Sequence, residues 1–591
     1  MKFAEFLLND LKLNHKYTHC FFVAGGNIMH LLDSARNLFE CVPVINEVAA
    51  GIATEYFNET RADGAKSFAL VTAGPGLTNI VTALAGAYLE SRELLVIGGQ
   101  VKSSDLKTEN LRQRGIQEID GRSIVEPITN YSIRVDAPLS GYQIEELMRI
   151  TGRPGPIFLE IPLDVQAQSV SVENKIEVKN TQHSNFRDLA AFVQRLVPEL
   201  KESKRPILLL GGGLSRKSSG SLTHPLSKCG IPIMTTWNGM DRYGSDQPNY
   251  WGRPNTWGQR SSNILIQQSD LIIAIGTRLG LQQTGFAWRK FAPLAKIFQV
   301  DIDKNELNKG HPRISEGLAG DADEFLVELI KVLEENTLNY SDWLTFGEKV
   351  MAHFPLNDKQ NITNETYISP YEFVEALSDL CTTNDVVIPC SSGGAFTVMM
   401  QSFKNKNGQK IVTNKGLASM GYGLSGAIGA AIATKSRTIL VEGDGGFAQN
   451  LQELGTVASQ NLNLKIFLFS NSGYASIRMT QKNYFDGAYL GCDTKTGLGL
   501  PDWSHIAKAY DLPYVSIDAT SDWRISIEKC MQAEGPQFIE VKIDPEQTYF
   551  PKITSRILPN GEMESSPLHL MSPDLTDQEI ESFLPFLKDR L

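Results

Sequence analysis

The chain has no long hydrophobic run, no paired cysteines and no excess of basic residues, and each shortage removes a class of protein. No stretch reaches the roughly 18 apolar residues that a membrane-crossing helix requires, so no membrane partner is expected. The seven cysteines (Cys20, Cys41, Cys229, Cys381, Cys390, Cys492 and Cys530) are scattered, odd in number and never spaced as C-x-x-C. That pattern argues against a disulfide scaffold and favours a reduced, cytoplasmic setting. With 56 Lys and Arg against 67 Asp and Glu, the net charge is -11; nucleic-acid binding, which needs clustered cations, is not expected. The N-terminus lacks the charged-then-apolar layout of a secretory leader. Phe3, Phe6, Leu7 and Leu11 instead mark one face of an amphipathic helix.

What is present is a length of 591 residues with 42% hydrophobic composition, too long for one core and ordinary for a globular chain. Short apolar runs alternate with helical patterns, which predicts doubly wound parallel α/β sheets. Three such blocks are expected, at residues 1–166, 185–335 and 366–545, followed by a tail at 546–591. Strands are predicted at Cys20–Ala24, Val42–Ile45, Ser67–Thr72, Leu94–Ile97 and Ile157–Ile161 in the first block. The second has Pro206–Leu210, Ile231–Thr235, Leu271–Ile275 and Ile297–Asp301; the third has Val386–Pro389, Thr438–Glu442, Leu464–Phe469 and Phe538–Ile543. Gln168–Ser184 and Glu334–Glu365 read as linkers, and the proline-bearing tail as a surface wrap without a sheet.

Gly443-Asp444-Gly445-Gly446-Phe447 follows the predicted strand Thr438–Glu442, with a helix expected over Leu451–Gln460. Glycines let backbone approach a phosphate, a carboxylate can hold a hard cation, and a helix start attracts anionic oxygens. The next strand delivers Ser470-Asn471-Ser472-Gly473-Tyr474. Parallel neighbours end on one edge, so Asp444 and Asn471 can reach one Mg²⁺, with a main-chain carbonyl as a further oxygen. Glu47, between apolar neighbours at a strand end, is placed where a hydrogen-bonding carboxyl is favoured.

The Gly443-to-Asn471 spacing resembles the metal-diphosphate motif of thiamine-diphosphate enzymes, with Ser470 in place of the motif's first Asn. The resemblance implies Asp444, Asn471 and the Gly473 carbonyl as metal ligands, and Gly443, Gly445, Gly446, Tyr474, Ala475 and Ser476 beside the diphosphate. It implies Glu47 as the carboxyl facing the aminopyrimidine, with Gly25, Gly26, Thr72, Pro75 and Asn79 around it, and Met420, in the glycine-framed run Gly416–Leu424, beneath the cofactor. Gln117 and Asn27 are implied to face the reacting centre.

The likeness spans roughly residues 3–545 and is strongest to acetolactate synthase catalytic subunits. Thr151-Gly152-Arg153-Pro154-Gly155-Pro156, Glu160-Ile161-Pro162, Asp164-Val165-Gln166, Gln100-Val101 and Gln117-Glu118 all match. Gly211-Gly212-Gly213, Thr277-Arg278, Asp301 and Asp321 resemble the flavin-carrying members, implying a structural FAD. The family further implies a homodimer or homotetramer, pyruvate as two-carbon donor and a carbonyl acceptor. Two departures fall at the substrate mouth: Thr480 stands where an acceptor-site Trp is expected, and Leu163 where a Lys is frequent. With the tail, they also resemble carboligases that branch keto-deoxysugar nucleotides. A simple 2-oxo acid decarboxylase is a further alternative, although none of the nine histidines forms the adjacent pair frequent in that branch. His30 is the one histidine near the Gly25-Gly26 loop.

Overall fold

The computed structural model describes all residues except 62–63, 109, 150–151, 171–185 and 589–591. Thr151 and most of the Gln168–Ser184 linker lie outside the described residues. Three parallel sheets follow one another along the chain. The first comprises Tyr17–Phe22 (β1), Glu40–Pro43 (β2), Lys66–Val71 (β3), Leu94–Gln100 (β4), Tyr131–Arg134 (β5) and Pro156–Pro162 (β6). The second comprises Pro206–Leu210 (β7), Ile233–Thr235 (β8), Leu271–Ile275 (β9), Lys296–Asp301 (β10) and Glu316–Ala319 (β11). The third comprises Val386–Ile388 (β12), Lys410–Ile411 (β13), Thr438–Gly443 (β14), Leu464–Ser470 (β15), Tyr514–Ile517 (β16) and Gln537–Lys542 (β17).

The strand orders are β2-β1-β3-β4-β6-β5, β11-β10-β9-β7-β8 and β13-β12-β14-β15-β17-β16. In each, the second strand lies on one side of the first and the third on the other. Chain direction therefore splits between β1 and β3, between β7 and β9, and between β12 and β14. Loops leaving such a pair diverge and open a crevice at the carboxyl edge, and the residues singled out above concentrate at these edges.

Every predicted strand is present, with ends moved by a few residues. Four further strands appear in the three parallel sheets: β5, β11, β13 and β16. All are edge strands, and β5, β11 and β16 carry exposed or half-exposed residues through most of their length. A strand paired on one side lacks the continuous apolar run that marks an interior parallel strand. The expected Leu451–Gln460 helix is broken: one turn starts at Asp444 itself (Asp444–Phe447), then a 3₁₀ turn Leu451–Glu453 leads into Leu454–Ser459.

Two linker or tail readings are corrected by packing. The stretch 334–365 contains the helix Ser341–His353, and its Trp343 and Val350 are buried in the core of the second sheet. The tail forms a two-stranded antiparallel ribbon, Ser555–Ile557 with Met563–Ser565, and a helix Asp577–Phe583. Its Leu568, Met571, Leu584 and Leu587 sit inside the same core, so burial of apolar surface, not surface wrapping, places it.

The first and third sheets share a core. The helix Glu47–Thr60 crosses the helix Tyr422–Thr434, and Ala49, Ala53, Tyr56, Ala427, Ile428 and Ala431 are buried in one cluster. A Cβ on Gly429 would stand 2.0 Å from the Ala53 carbonyl oxygen, and one on Gly426 2.6 Å from the Tyr56 ring, so glycine permits this approach. Beside it, Glu55 accepts from Arg92 (2.7 Å), Asn414 (3.1 Å) and the Tyr422 hydroxyl (2.6 Å). These polar groups are buried and mutually satisfied, as burial requires.

Candidate active site

At the carboxyl edge of the third sheet, Asp444 is 1% exposed. Its Oδ1 accepts from Gly445 N at 2.7 Å, and its Oδ2 from Asn471 N (3.0 Å) and Gly473 N (3.2 Å). Burial pushes its carboxyl up to about 6, against the pull of those backbone donors. The Asn471 side-chain oxygen lies 3.3 Å from Asp444 Oδ1 and 2.9 Å from the Gly473 carbonyl oxygen. Three acceptors facing one another repel, and a cation among them makes the arrangement favourable; without one, turning the amide over would let its NH₂ donate to both. Among the described residues no group of three or more His, Cys, Asp or Glu could hold a metal. A single carboxylate with neutral oxygens, leaving room for phosphate and water, suits Mg²⁺.

The loop carrying these oxygens is held from outside. The Arg478 guanidinium donates to the Asn471 carbonyl (2.8 Å) and the Pro545 carbonyl (3.0 Å). Gly473 has φ +140, and a Cβ there would stand 2.3 Å from the Cys492 carbonyl oxygen, so only glycine fits. Tyr474 precedes the helix Ala475–Tyr484, whose first turn has no side-chain cap. Ser476 is exposed and its carbonyl accepts from the Thr480 hydroxyl at 3.0 Å.

One part of this edge was not foreseen. The loop after β12, Pro389 to Ser392, enters the helix Gly393–Ser402, whose N-terminus also lacks a side-chain cap. β12 neighbours β14 across the switch point, so these free N–H groups share the edge of Gly443–Gly446 and suit anionic oxygens. A Cβ on Gly443 would meet open space although its φ of -80 suits any residue; nothing in the chain demands glycine there, whereas a closely approaching phosphate would. Tyr549, buried in the tail segment, has its ring where a Gly394 Cβ would be, 2.6 Å away, and lies beside Asn471. The run Cys390–Gly394 has no chemically distinctive residue, and Tyr549 stands about 80 positions from Asn471; neither announces itself in sequence.

Met420, 39% exposed, lies in the segment before the helix Tyr422–Thr434. The Asn450 amide donates to the Gly421 carbonyl at 2.7 Å, tying that segment to the turn after Asp444. Behind it, burial pushes the Glu442 carboxyl up to about 8.

A second cluster occupies the carboxyl edge of the first sheet. Glu47, 8% exposed, opens its helix after the cap Asn46, whose side chain accepts from Val48 N at 3.0 Å. Its Oε2 accepts from Asn79 Nδ2 at 2.9 Å. Gly74-Pro75-Gly76 starts the short helix Pro75–Asn79, and a Gly76 Cβ would lie 3.6 Å from Glu47 Oε1. Thr72 accepts from Asn27 N at 3.3 Å, and a Gly25 Cβ would clash with Thr72 at 2.3 Å. Gly26 begins the turn Gly26–Ile28, and His30 follows, half-buried, in the helix Met29–Ala35. Gln117 has φ 61 and lies so close that a Gly74 Cβ would be 2.6 Å from its carbonyl oxygen. Thus Asn27, Glu47, Thr72, Asn79 and Gln117 are brought to one edge. Among the described residues, no hydrogen bond joins Glu47 to Asp444, Asn471 or Met420.

Family models match three parts of the chain: the thiamine pyrophosphate enzyme N-terminal TPP binding domain at residues 1–124, the central domain at 193–329 and the C-terminal TPP binding domain at 392–541. The acetolactate synthase large subunit of Cyanidium caldarium is 28% identical over 574 residues, covering 94% of this chain and 95% of the relative. Acetolactate synthase 1, chloroplastic, of Zea mays is 30% identical over 512 residues, covering 84% and 78%. The chain belongs to the thiamine-pyrophosphate enzymes. It is acetolactate-synthase-like, and isozyme 1 of Escherichia coli (strain K12), large subunit, is a third relative, 28% identical over 552 residues and covering 90% and 92%.

Within this thiamine-pyrophosphate enzyme, the central sheet brings Gly211–Gly213 and Thr277-Arg278 to the β7/β9 switch point, with Asp301 at the end of β10 and Asp321 just after β11. Gly213 N donates to the Gly276 carbonyl at 2.9 Å, and a Gly211 Cβ would stand 2.2 Å from that oxygen. Gly212 is the loosest of the three, a Cβ there standing 3.3 Å from the Asn238 carbonyl oxygen. Thr277 is buried, while Arg278 is exposed beside Gly416. Asp301 ends β10 and accepts from Asp303 N at 2.9 Å. Asp321 caps the helix Ala322–Glu335, accepting from Asp323 N (2.8 Å) and Glu324 N (3.1 Å), a structural task sufficient to explain it. No described helix is long and apolar enough to cross a membrane.

Proposed function

We propose that this enzyme decarboxylates a 2-oxo acid, with pyruvate as donor, and transfers the remaining two-carbon unit to an acceptor carbonyl. The observation that carries the reading is the oxygen set of Asp444, Asn471 and Gly473 beside uncapped helix starts, built for Mg²⁺ and a diphosphate. When bound, thiamine diphosphate supplies the electron sink for decarboxylation. Asp444, Asn471 and the Gly473 carbonyl hold the metal; Gly443, Gly445, Gly446 and the N–H groups of Gly393, Gly394, Ala475 and Ser476 receive the diphosphate. Met420 would pack against the cofactor. Glu47 holds a proton at pyrimidine N1′, and Asn79 aims its carboxyl. Asn27 and Gln117 face the reacting carbons and orient substrate oxygens.

In this reading the two edges complete one another between copies of the chain, in a homodimer or a pair of them. Glu47 has its partner on its own edge, and each edge exposes apolar side chains: Met29, Ile45 and Ile116 on the first, Met420, Ile477 and Leu490 on the third. FAD is assigned a structural place at Gly211–Gly213 with Thr277, Arg278 and Asp301, and a flavin spectrum of the purified protein tests it.

The deciding experiment incubates purified protein with pyruvate, Mg²⁺ and thiamine diphosphate and a panel of 2-oxo acids, aldehydes and keto-deoxysugar nucleotides. Product masses separate acetolactate, acetaldehyde and a branched sugar. Absence of CO₂ release from every 2-oxo acid refutes the proposal, and an active monomer in sedimentation refutes the paired assembly.

A further inference from the structure

Lys552, in the tail segment that follows Tyr549, has an unusual environment. Its ammonium is 5.5 Å from the centre of the Trp257 ring and 5.1 Å from that of Phe550, and its hydrogen-bond contact is the Met479 sulfur at 3.0 Å. A thioether is a weak acceptor. No carboxylate pairs with it among the described residues, and burial alone lowers its proton affinity. Aromatic faces stabilise a cation only modestly, by less than the cost of withdrawing an unpaired ammonium from water.

The position is informative. Met479 sits on the helix Ala475–Tyr484, two turns from the Gly473 carbonyl, and precedes Thr480, where the resemblance expects a bulky acceptor-site Trp. Phe550 adjoins Tyr549, which packs on Gly394 at the diphosphate edge. Trp257 reaches the same region from the central block, its carbonyl accepting from Gln401 at 3.0 Å. A half-buried cation with no carboxylate partner among the described residues therefore stands against Met479, the neighbour of Thr480, where the resemblance places the acceptor.

We propose that Lys552, caged by Trp257, Phe550 and Met479, is the specificity residue that binds the anionic group of the acceptor substrate. The ligand class is a compact oxyanion, either the carboxylate of a 2-oxo acid or the phosphate of a nucleotide-linked ketosugar. The aromatic walls keep the ammonium directed and partly dry, so that one anion gains a strong charge-assisted contact, and Thr480 leaves space that a Trp would fill. This inference rests on the carboligase reading.

The test uses holoenzyme with saturating pyruvate and three acceptors: 2-oxobutyrate, a nucleoside-diphosphate-linked 4-ketosugar and uncharged propionaldehyde. In Lys552→Met, which preserves the apolar volume, KM for the anionic acceptor rises about tenfold, roughly one charge contact, and more than kcat falls. KM for propionaldehyde moves less than twofold, and Lys552→Arg recovers most of the anionic affinity. The acceptor whose KM responds identifies the oxyanion. If Lys552→Met melts far below the parent, Lys552→Gln takes its place. Equal shifts for charged and neutral acceptors, or no shift for either, overturn the proposal. CO₂ release by the parent with products from propionaldehyde alone overturns it while leaving carboligation intact; no CO₂ release removes the carboligase reading itself.

Discussion

Asn79 donates its side-chain amide to Glu47 at 2.9 Å, so the carboxyl is aimed by a residue 32 positions later that reaches it from the helix following β3. The Asn46 cap fixes the start of the helix that bears Glu47, leaving the carboxyl little freedom. Replacing Asn79 by Ala removes the aim but not the acid. Turnover is expected to fall about tenfold, roughly the worth of one hydrogen bond, with cofactor affinity within about threefold, as read by steady-state kinetics and cofactor titration.

Glu47→Gln keeps the shape and removes the exchangeable proton. Turnover falls about 10²–10⁴-fold, the range for losing positioned acid–base help, while thiamine diphosphate still binds. Unchanged turnover would remove Glu47 from its assigned role.

Asp444→Ala takes away the only carboxylate of the oxygen set. Calorimetric titration of thiamine diphosphate with and without Mg²⁺ should show metal-dependent affinity falling by about 100-fold or more, with circular dichroism unchanged. Retention of the Mg²⁺ effect would place the ion elsewhere.

Gly429→Ala tests the shared core. The added methyl meets the Ala53 carbonyl oxygen at 2.0 Å, a backbone atom that cannot rotate away. A destabilisation of about 3 kcal/mol is expected from overpacking, measured as a shift in urea midpoint; a change below about 0.5 kcal/mol would show that the helices can separate freely.

Glu160 is 1% exposed, and burial pushes its carboxyl up to about 7 from 4.5 although Gly121 N and Gln100 bind it. Its folded-state value lies above the unfolded one, so its contribution is complete below pH 4.5 and lost as pH rises through 7. The loss amounts to about 3 kcal/mol. Glu160→Gln keeps the accepting oxygen and should abolish that slope. Parallel stability-versus-pH curves for parent and variant between pH 5 and 7 would contradict this.

The interior strands could be read in the sequence because each is a continuous apolar run; β7 and β9 are buried at every position. The edge strand β11, half-exposed, carries no such run. Asp444 and Asn471 could be paired from the sequence because carboxylate and amide follow strands whose ends a sheet edge brings together, whereas Glu47 stands out only through the family resemblance. Tyr549, Lys552 and the Gly393 helix start were not: their placement depends on tail packing and on a strand order that neighbouring residues do not encode. Asp321 is a place where a family motif and a helix cap ask for the same side chain.

The burial of Leu584 and Leu587 with Ile207, Leu209 and Ile273 sets a timetable for synthesis. The second sheet leaves the ribosome well before the third, yet part of its apolar lining is translated after the third. Until those leucines emerge, that surface stays open to chaperones. Ribosome-stalled chains ending near residue 545 should bind a trigger-factor-type holdase that chains extending past Leu587 release, making emergence of these leucines the step that commits the middle of the molecule to its native state.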